Sequence, residues 1–460
     1  MIRHYLNELE QWKKRLTRKP LVIRGARQVG KTWLVREFAR TNFQNLVEIN
    51  FDETPEKQQL FAGKEVNDVL RMIAVDQGQQ IIPQKTLFFL DEIQSAPNIL
   101  AQLRYFYEKL PELHIITAGS LLDFSLAEHE FSMPVGRIEY MFMGPMTFGE
   151  FLLANNEQQA VAFLHDYEMG QEIPQPIHNK LMNLIRDYYV IGGMPAVVCV
   201  YKEQRNWEDV LREQRSILQT FIDDFAKYRR RINPLRLRKV FVNMPRMVGQ
   251  KLKYSHIDRE ERAKDLAVCV ELLEMARLIN RVVHSACNGL PIGAETKEKD
   301  FKPLFLDIGL VCNALGLKLT DLHMQNKLML VNNGPATEQF IGQHLLYSGR
   351  GDEVPELFYW NREKKSSSAE VDYVTTVAGK IIPVEVKAGK SGTLRSLKLM
   401  MFEKGLHLAV RFDANPPSQM DVTAKIPARG SCRFKLLSFP LYLVDHFTRL
   451  VEAEIKNSHG

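Results

Sequence analysis

The chain opens with short apolar runs separated by stretches of helical periodicity. Pro20-Leu-Val-Ile-Arg24, Leu46-Val-Glu-Ile-Asn50, Thr86-Leu-Phe-Phe-Leu90 and His114-Ile-Ile-Thr117 read as buried strands. Between them, Thr32 to Arg40 and Ala101 to Leu110 read as helices. Strands alternating with helices predict a mostly parallel sheet covered on both faces. From Glu150 to about Tyr228 the pattern is helical and amphipathic, broken by Gly192-Gly193-Met194-Pro195. Residues 229–315 predict short helices followed by a β-ribbon. After Gly334 a helix leads into strand-like runs at Leu357–Trp360, Val371–Thr376 and Ile381–Val386. There is no internal repeat and no low-complexity tract. These changes of pattern place boundaries near 150, 228 and 330, dividing the chain into 1–150, 151–228, 229–330 and 331–460.

Composition narrows the class. With 460 residues, 45% hydrophobic and 25% charged, the chain is long enough for several domains with sizeable cores. A disordered chain, a collagen-like repeat and a small disulfide scaffold are excluded. No uninterrupted apolar window reaches the length of a membrane span, and the charged N-terminal stretch does not read as a secretion signal. Cys199, Cys269, Cys287, Cys312 and Cys432 are odd in number and form neither a CxxC pair nor a zinc spacing. Reduced thiols in a cytoplasmic protein are the expectation. The net charge of +6 matters because it is concentrated. From Phe225 to Ile257 there is no acid, yet Lys227, Arg229, Arg230, Arg231, Arg236, Arg238, Lys239, Arg246, Lys251 and Lys253 all fall there.

Gly25-Ala26-Arg27-Gln28-Val29-Gly30-Lys31-Thr32 follows an apolar strand and opens a helix, the context a phosphate-binding loop requires. Its glycines let backbone N–H groups turn toward phosphate oxygens, and the helix aims its positive end at the same anion. Lys31 is placed to reach the β- and γ-phosphates of ATP, and the Thr32 hydroxyl to ligate Mg²⁺. Leu87-Phe-Phe-Leu90-Asp91-Glu92 supplies an apolar strand ending in two acids. Asp91 is expected to hold Mg²⁺ through water, and Glu92 to act as general base on the attacking water. Ser120, ending the fourth strand, is placed to sense the γ-phosphate. Arg137 is a candidate charge-stabilising arginine, with an ordinary surface arginine as the alternative.

These residues carry a resemblance. The loop with Arg27-Gln28, Asp91-Glu92-Ile93-Gln94, Gly119-Ser120, Gly136-Arg137 and Pro145-Met-Thr-Phe-Gly-Glu-Phe151 together resemble a prokaryotic AAA-type ATPase family. Its members carry an ATPase domain followed by a C-terminal region of unknown function. Gly192-Gly193-Met194-Pro195 and Phe305-Leu-Asp307-Ile-Gly309 look like signatures of that region, so the resemblance covers nearly the whole chain. One departure is Ala118-Gly119-Ser120, where Thr-Gly-Ser is expected.

Downstream of the basic run, Leu235–Met244, a short turn from Ser255 and Arg259–Leu278 read as three helices. Ile279–Ala286 then reads as a strand, with Cys287–Asp300 as a wing. This resembles the winged-helix module of the same family, which presents one helix to the major groove. Arg229, Arg230, Arg231, Arg236, Arg238 and Lys239 are the candidate nucleic-acid contacts. The presumptive recognition helix begins Asp258-Arg-Glu-Glu-Arg262, so any contact is expected to be sequence-independent. The alternative is a basic face that pairs with acids elsewhere in the chain.

Near the C-terminus, Glu385 and Lys387 alternate onto one face of a strand, and Asp372 on the preceding strand can reach that face. Two carboxylates with a lysine two residues on suit a Mg²⁺ site with a charge-stabilising group. The arrangement resembles a restriction-endonuclease-like core, in which Glu338 adds a carboxylate from the first helix. The alternative is a nuclease-like fold kept for docking.

The expected architecture is α/β: a P-loop AAA-type ATPase domain with a parallel sheet, a helical and winged-helix middle, and a C-terminal restriction-endonuclease-like α/β domain. The leading function is Mg²⁺-dependent ATP hydrolysis coupled to action on DNA, binding with or without endonucleolytic cutting. The alternative is an ATP-switched protein-interaction scaffold with a catalytically inactive nuclease fold. Oligomerisation is compatible with either.

Overall fold

The computed structural model describes residues 2–63, 65–120, 134, 136–229, 231–317, 334–362, 369–389, 393–427 and 430–458. They divide into two units: Met1–Gly144 with Met275–Leu278 and Arg350–Val354, and Pro145–Glu274 with Ile279–Gly349 and Pro355–Gly460.

The first unit is built on five parallel strands. They are β1 (Leu21–Arg24), β2 (Asn45–Asn50), β3 (Thr86–Asp91), β4 (His114–Gly119) and β5 (Glu139–Phe142), in the order β2-β3-β4-β1-β5. The apolar runs became strands at the heart of the sheet: every residue of β3 and β4 is buried, three of four in β1, and the edge strand β2 buries Val47 and Ile49. β5, half of whose residues are only partly buried, lacked such a run. The core on one face gathers Val47, Ile49, Phe88 and Leu90 from the sheet. Val69, Ile73, Leu103 and Phe106 come from the helices Val66–Gln77 and Pro97–Lys109. Because the strands are parallel, the C-terminal ends of β1, β4 and β3 line one edge. Arg24 pairs with Gly119, and Leu90 with Thr117. The phosphate-loop residues, Ser120 and Asp91 therefore meet at that edge.

The second unit begins with helices, including Phe148–Ala154, Gln175–Ile191, Pro195–Gln204 and Trp207–Asp224. The helices Pro234–Met247, Tyr254–Ile257 and Ala263–Met275 follow in the expected order. The ribbon β6 (Ile279–Ser285) and β7 (Thr296–Phe305) comes next. The helix Gly334–Tyr347 then precedes β8 (Leu357–Asn361), β9 (Glu370–Val377) and β10 (Lys380–Val386). The helix Arg395–Lys404 crosses over to β11 (Leu408–Asp413), which lies parallel to β10. The hairpin β12 (Ser418–Ile426) and β13 (Gly430–Pro440) completes the sheet. All eight strands form one sheet in the order β12-β13-β11-β10-β9-β8-β6-β7.

The middle segment and the C-terminal sheet are continuous. β6 pairs in parallel with β8, so the ribbon extends the C-terminal sheet instead of standing as a free wing. The boundaries expected at 228 and 330 fall within one unit. A pairing between segments some seventy residues apart leaves no mark on local periodicity. The five cysteines are free. Among the described residues, no helix is long and apolar enough to cross a membrane.

Candidate functional site

The loop after β1 has the backbone its sequence demands. Gln28 and Gly30 take positive φ (66° and 93°), and Gly30 caps the helix Lys31–Asn42. A Cβ at Gly25 would lie 2.3 Å from the Met143 carbonyl oxygen, so no larger residue fits there. Lys31 is buried, and its ammonium donates to the carbonyls of Gly25 (3.0 Å) and Ala26 (2.8 Å) inside the loop's own bowl. Burial pushes its pKa down to about 8, opposed by Glu92 and Asp91. Among the described residues its hydrogen-bond partners are these two carbonyls.

The acids stand where the sheet puts them. The Thr32 hydroxyl donates to Asp91 Oδ2 at 2.7 Å, bringing the two expected Mg²⁺ ligands into direct contact. Burial raises the Asp91 pKa to about 6, partly offset by that hydrogen bond. Glu92 sits at φ +50°, a strained conformation for a non-glycine residue and one that recurs at functional sites. Its carboxylate accepts from Gln94 and, at 3.4 Å, from Ser120 Oγ. Arg27 donates to Ser120 Oγ at 3.2 Å and lies 3.9 Å from Asp52. Ser120 thus links the loop arginine to the candidate base. Val29 is fully buried and anchors the loop from beneath.

Two arginines differ from the sequence reading. Arg137 precedes β5, whose Glu139 pairs with Leu21 at the start of β1. It therefore lies at the opposite sheet edge, about 13 Å of strand from the phosphate loop of its own chain. There it bridges to Glu108 at 3.0 Å. Arg3 was missed. It is 2% exposed and donates to the carbonyls of Val29 and Gly144, both at 2.8 Å, bracing the loop from behind. A lone arginine near the N-terminus gives no local signal of such a role.

The basic segment is partly neutralised. Arg236 bridges Glu261 (2.9 Å) and Asp265 (3.7 Å), Lys239 bridges Asp258, and Lys251 bridges Asp300 (2.8 Å). An acid-free window in sequence is not acid-free in space: the loop after the second helix brings acids back against the first. Arg231 is exposed, and Arg230 lies outside the described residues. Among the described residues, Arg229, Arg238, Arg246 and Lys253 are exposed and lack an acidic partner. Arg238 and Arg246 share a face of the helix Pro234–Met247 with exposed Leu235 and Val242.

The C-terminal carboxylates converge around two lysines. Asp372 Oδ2 accepts from the Val386 backbone N–H at 2.8 Å, and Lys387 Nζ lies 2.5 Å from Glu385 Oε1. The sequence reading missed Lys302, on β7. Its ammonium lies 3.4 Å from Glu338, 3.1 Å from Glu370 and 3.9 Å from Asp372. Burial works against its charge, but Glu338, Asp372 and Glu370 outweigh burial and hold its pKa above the ordinary value. Burial and the neighbouring Asp372 raise the pKa of both Glu338 and Glu385. Among the described residues, no group of three or more His, Cys, Asp or Glu is arranged to hold a metal ion.

The two C-terminal signatures meet each other. Asp307, fully buried, accepts from the Gly193 N–H at 2.6 Å, the Leu310 N–H at 3.1 Å and Gln343 Nε2 at 3.3 Å. The Tyr188 hydroxyl, which accepts from the same Gln343 at 3.2 Å, donates to the Met146 carbonyl. The signatures therefore lock helices to one another inside the second unit.

The loop, the paired Thr32 and Asp91, and Glu92 define a P-loop nucleotide site on a five-stranded parallel sheet. Residues 17–152 match the family described as AAA domain, which supports a P-loop ATPase. Residues 182–321 and 333–412 match two families described as domains of unknown function (DUF8612 and DUF4143). Among solved structures, the Aeropyrum pernix ORC2 protein in its ADPNP–ADP complexes is 10% identical, covering 61% of this chain and 88% of its own, with a TM-score of 0.34. The Thermotoga maritima RuvB Holliday junction branch migration motor is 15% identical, covering 60% and 87%, with a TM-score of 0.28. Caenorhabditis elegans PCH-2 is 14% identical, covering 44% and 63%, with a TM-score of 0.28. No curated protein matches the chain.

Proposed function

We propose that the chain is an Mg²⁺-dependent ATPase that couples hydrolysis to action on DNA bound without sequence preference. The observation that carries the first part is the Thr32–Asp91 contact beside a Lys31 ammonium folded into the loop. These residues fit Mg²⁺-ATP. Thr32 and Asp91 would hold the ion, which would draw charge from the phosphate oxygens. Lys31 and the loop N–H groups bind the phosphates. Glu92 accepts the proton of the attacking water, and Ser120 with Arg27 orients Glu92 and reports on the γ-phosphate. DNA binding is supported by the exposed, unpaired Arg229, Arg238, Arg246 and Lys253.

Glu92→Gln keeps the phosphate contacts but removes the base, so ATP should bind and persist. Lys31→Ala should lose nucleotide binding. Equal turnover in wild type and Glu92→Gln would refute the assignment.

A second reading has ATP switch a protein-interaction scaffold whose nuclease-like fold is inactive. It is favoured by Lys302, which stands among the carboxylates. As arranged, Glu338, Asp372 and Glu385 do not fit a divalent cation. Salt-dependent binding to duplex DNA separates the two readings: its absence at about 50 mM salt favours the scaffold.

A further inference from the structure

The C-terminal cluster brings four carboxylates, Glu338, Glu370, Asp372 and Glu385, around two lysines, Lys302 and Lys387. Most oxygens facing its centre are already committed. Glu338 and Glu370 each face the Lys302 ammonium, one oxygen of Asp372 takes the Val386 N–H, and one of Glu385 takes Lys387. Among the described residues, Glu385 Oε2 is buried and has no hydrogen-bond partner, an unmet demand in a residue 4% exposed. Lys302 is enclosed. Its side chain is 2% exposed, and its ammonium lies 5.4 Å and 5.5 Å from the ring centres of Tyr359 and Tyr373. Three carboxylates and two aromatic rings make a closed box for one ammonium.

A divalent cation entering between Glu338 and Asp372 would have to displace the ammonium already seated there or bear its repulsion at close range. We propose that Lys302 is the resident cation of this cluster. Its ammonium holds the place between Glu338 and Asp372 that a divalent ion would need, so the cluster takes no such ion while Lys302 is there. Withdrawing that charge exposes a cation site formed by Glu338, Asp372 and the orphaned oxygen of Glu385. The inference rests on reading these acids as a cation site, and it names what occupies it. Sequence gives no hint of this, because Lys302 enters from β7, some seventy residues before Asp372.

The test is Mn²⁺ binding to the nucleotide-free full chain, followed by the loss of free-ion signal in electron paramagnetic resonance. Wild type and Asp372→Asn should titrate alike. Lys302→Met should gain one Mn²⁺, lost again when Asp372→Asn is added. If Lys302→Met fails to fold without its buried charge, Lys302→Met/Glu370→Gln, which removes one charge of each sign, carries the same readout. If wild type binds a Mn²⁺ that Asp372→Asn abolishes, Lys302 is not the occupant and the proposal falls. A folded Lys302 variant that gains no Mn²⁺ overturns it differently, showing that the acids are not a cation site at all.

Discussion

Replacing Gly192 by alanine is the sharpest test of how the second unit holds together. Gly192 ends the helix Gln175–Ile191 at φ 75°, ψ −170°, a region of backbone space open essentially to glycine alone. An alanine Cβ there would lie 2.0 Å from Asp307 Oδ1 and 2.8 Å from its Cγ. The carboxylate cannot swing aside without giving up the Gly193 and Leu310 N–H groups and Gln343. Two costs therefore add. Backbone strain contributes about 1–3 kcal/mol. Stranding buried donors by displacing Asp307 contributes about 1–3 kcal/mol more. Gly192→Ala should destabilise the unit by about 2–6 kcal/mol, a large share of the 5–15 kcal/mol typical of a folded domain. Urea unfolding followed by circular dichroism measures it. Adding Asp307→Ala removes the overlap but not the backbone strain. It should therefore cost less in the Gly192→Ala background than in wild type. A destabilisation below about 1 kcal/mol would refute the reasoning, since that is the scale of an ordinary substitution.

Other outcomes follow from named contacts. Arg238→Ala with Arg246→Ala should weaken binding to all duplex sequences alike and reduce the salt slope by roughly 0.9 per lost phosphate contact. Arg236→Ala with Lys239→Ala, already bridged to acids, should change it far less; equal effects in a filter-binding salt series would contradict the partition. Arg3→Met should lower nucleotide affinity about tenfold, near the cost of one charged hydrogen bond, while the fold persists. Unchanged affinity in a fluorescent-nucleotide titration would show that the brace is dispensable. Burial raises the Asp307 pKa from 3.8 to about 6, so the folded state holds a proton that the unfolded chain releases. Stability should therefore fall as pH rises from about 4 to about 6 and then level off, and Asp307→Asn should flatten that slope. Parallel urea midpoints for wild type and variant across the window would contradict it.

Local pattern was enough for four of the five strands of the N-terminal sheet and for its nucleotide loop. The central strands β1, β3 and β4 show as apolar runs because they are buried, and the loop's chemistry lies in eight contiguous residues, Gly25 to Thr32. Asp91 and Glu92 were legible for the same reason, since they end such a run. Local pattern also marked the helices of the second unit and the hairpin carrying Asp372 and Glu385. What local pattern did not record depended on partners far away in the chain. β6 joins β8 by hydrogen bonds that no periodicity records. Arg236 and Lys239 find acids that their own window lacks. Arg137 lies at the end of β5 away from the loop of its own chain because parallel pairing to β1 sets which end of β5 faces that loop. Lys302 neutralises acids that local reading assigned to a metal. Sequence determined which residues could do chemistry, because backbone propensity and side-chain type are local. Tertiary structure alone decided which charges meet, because Coulomb attraction and burial depend on distance in space.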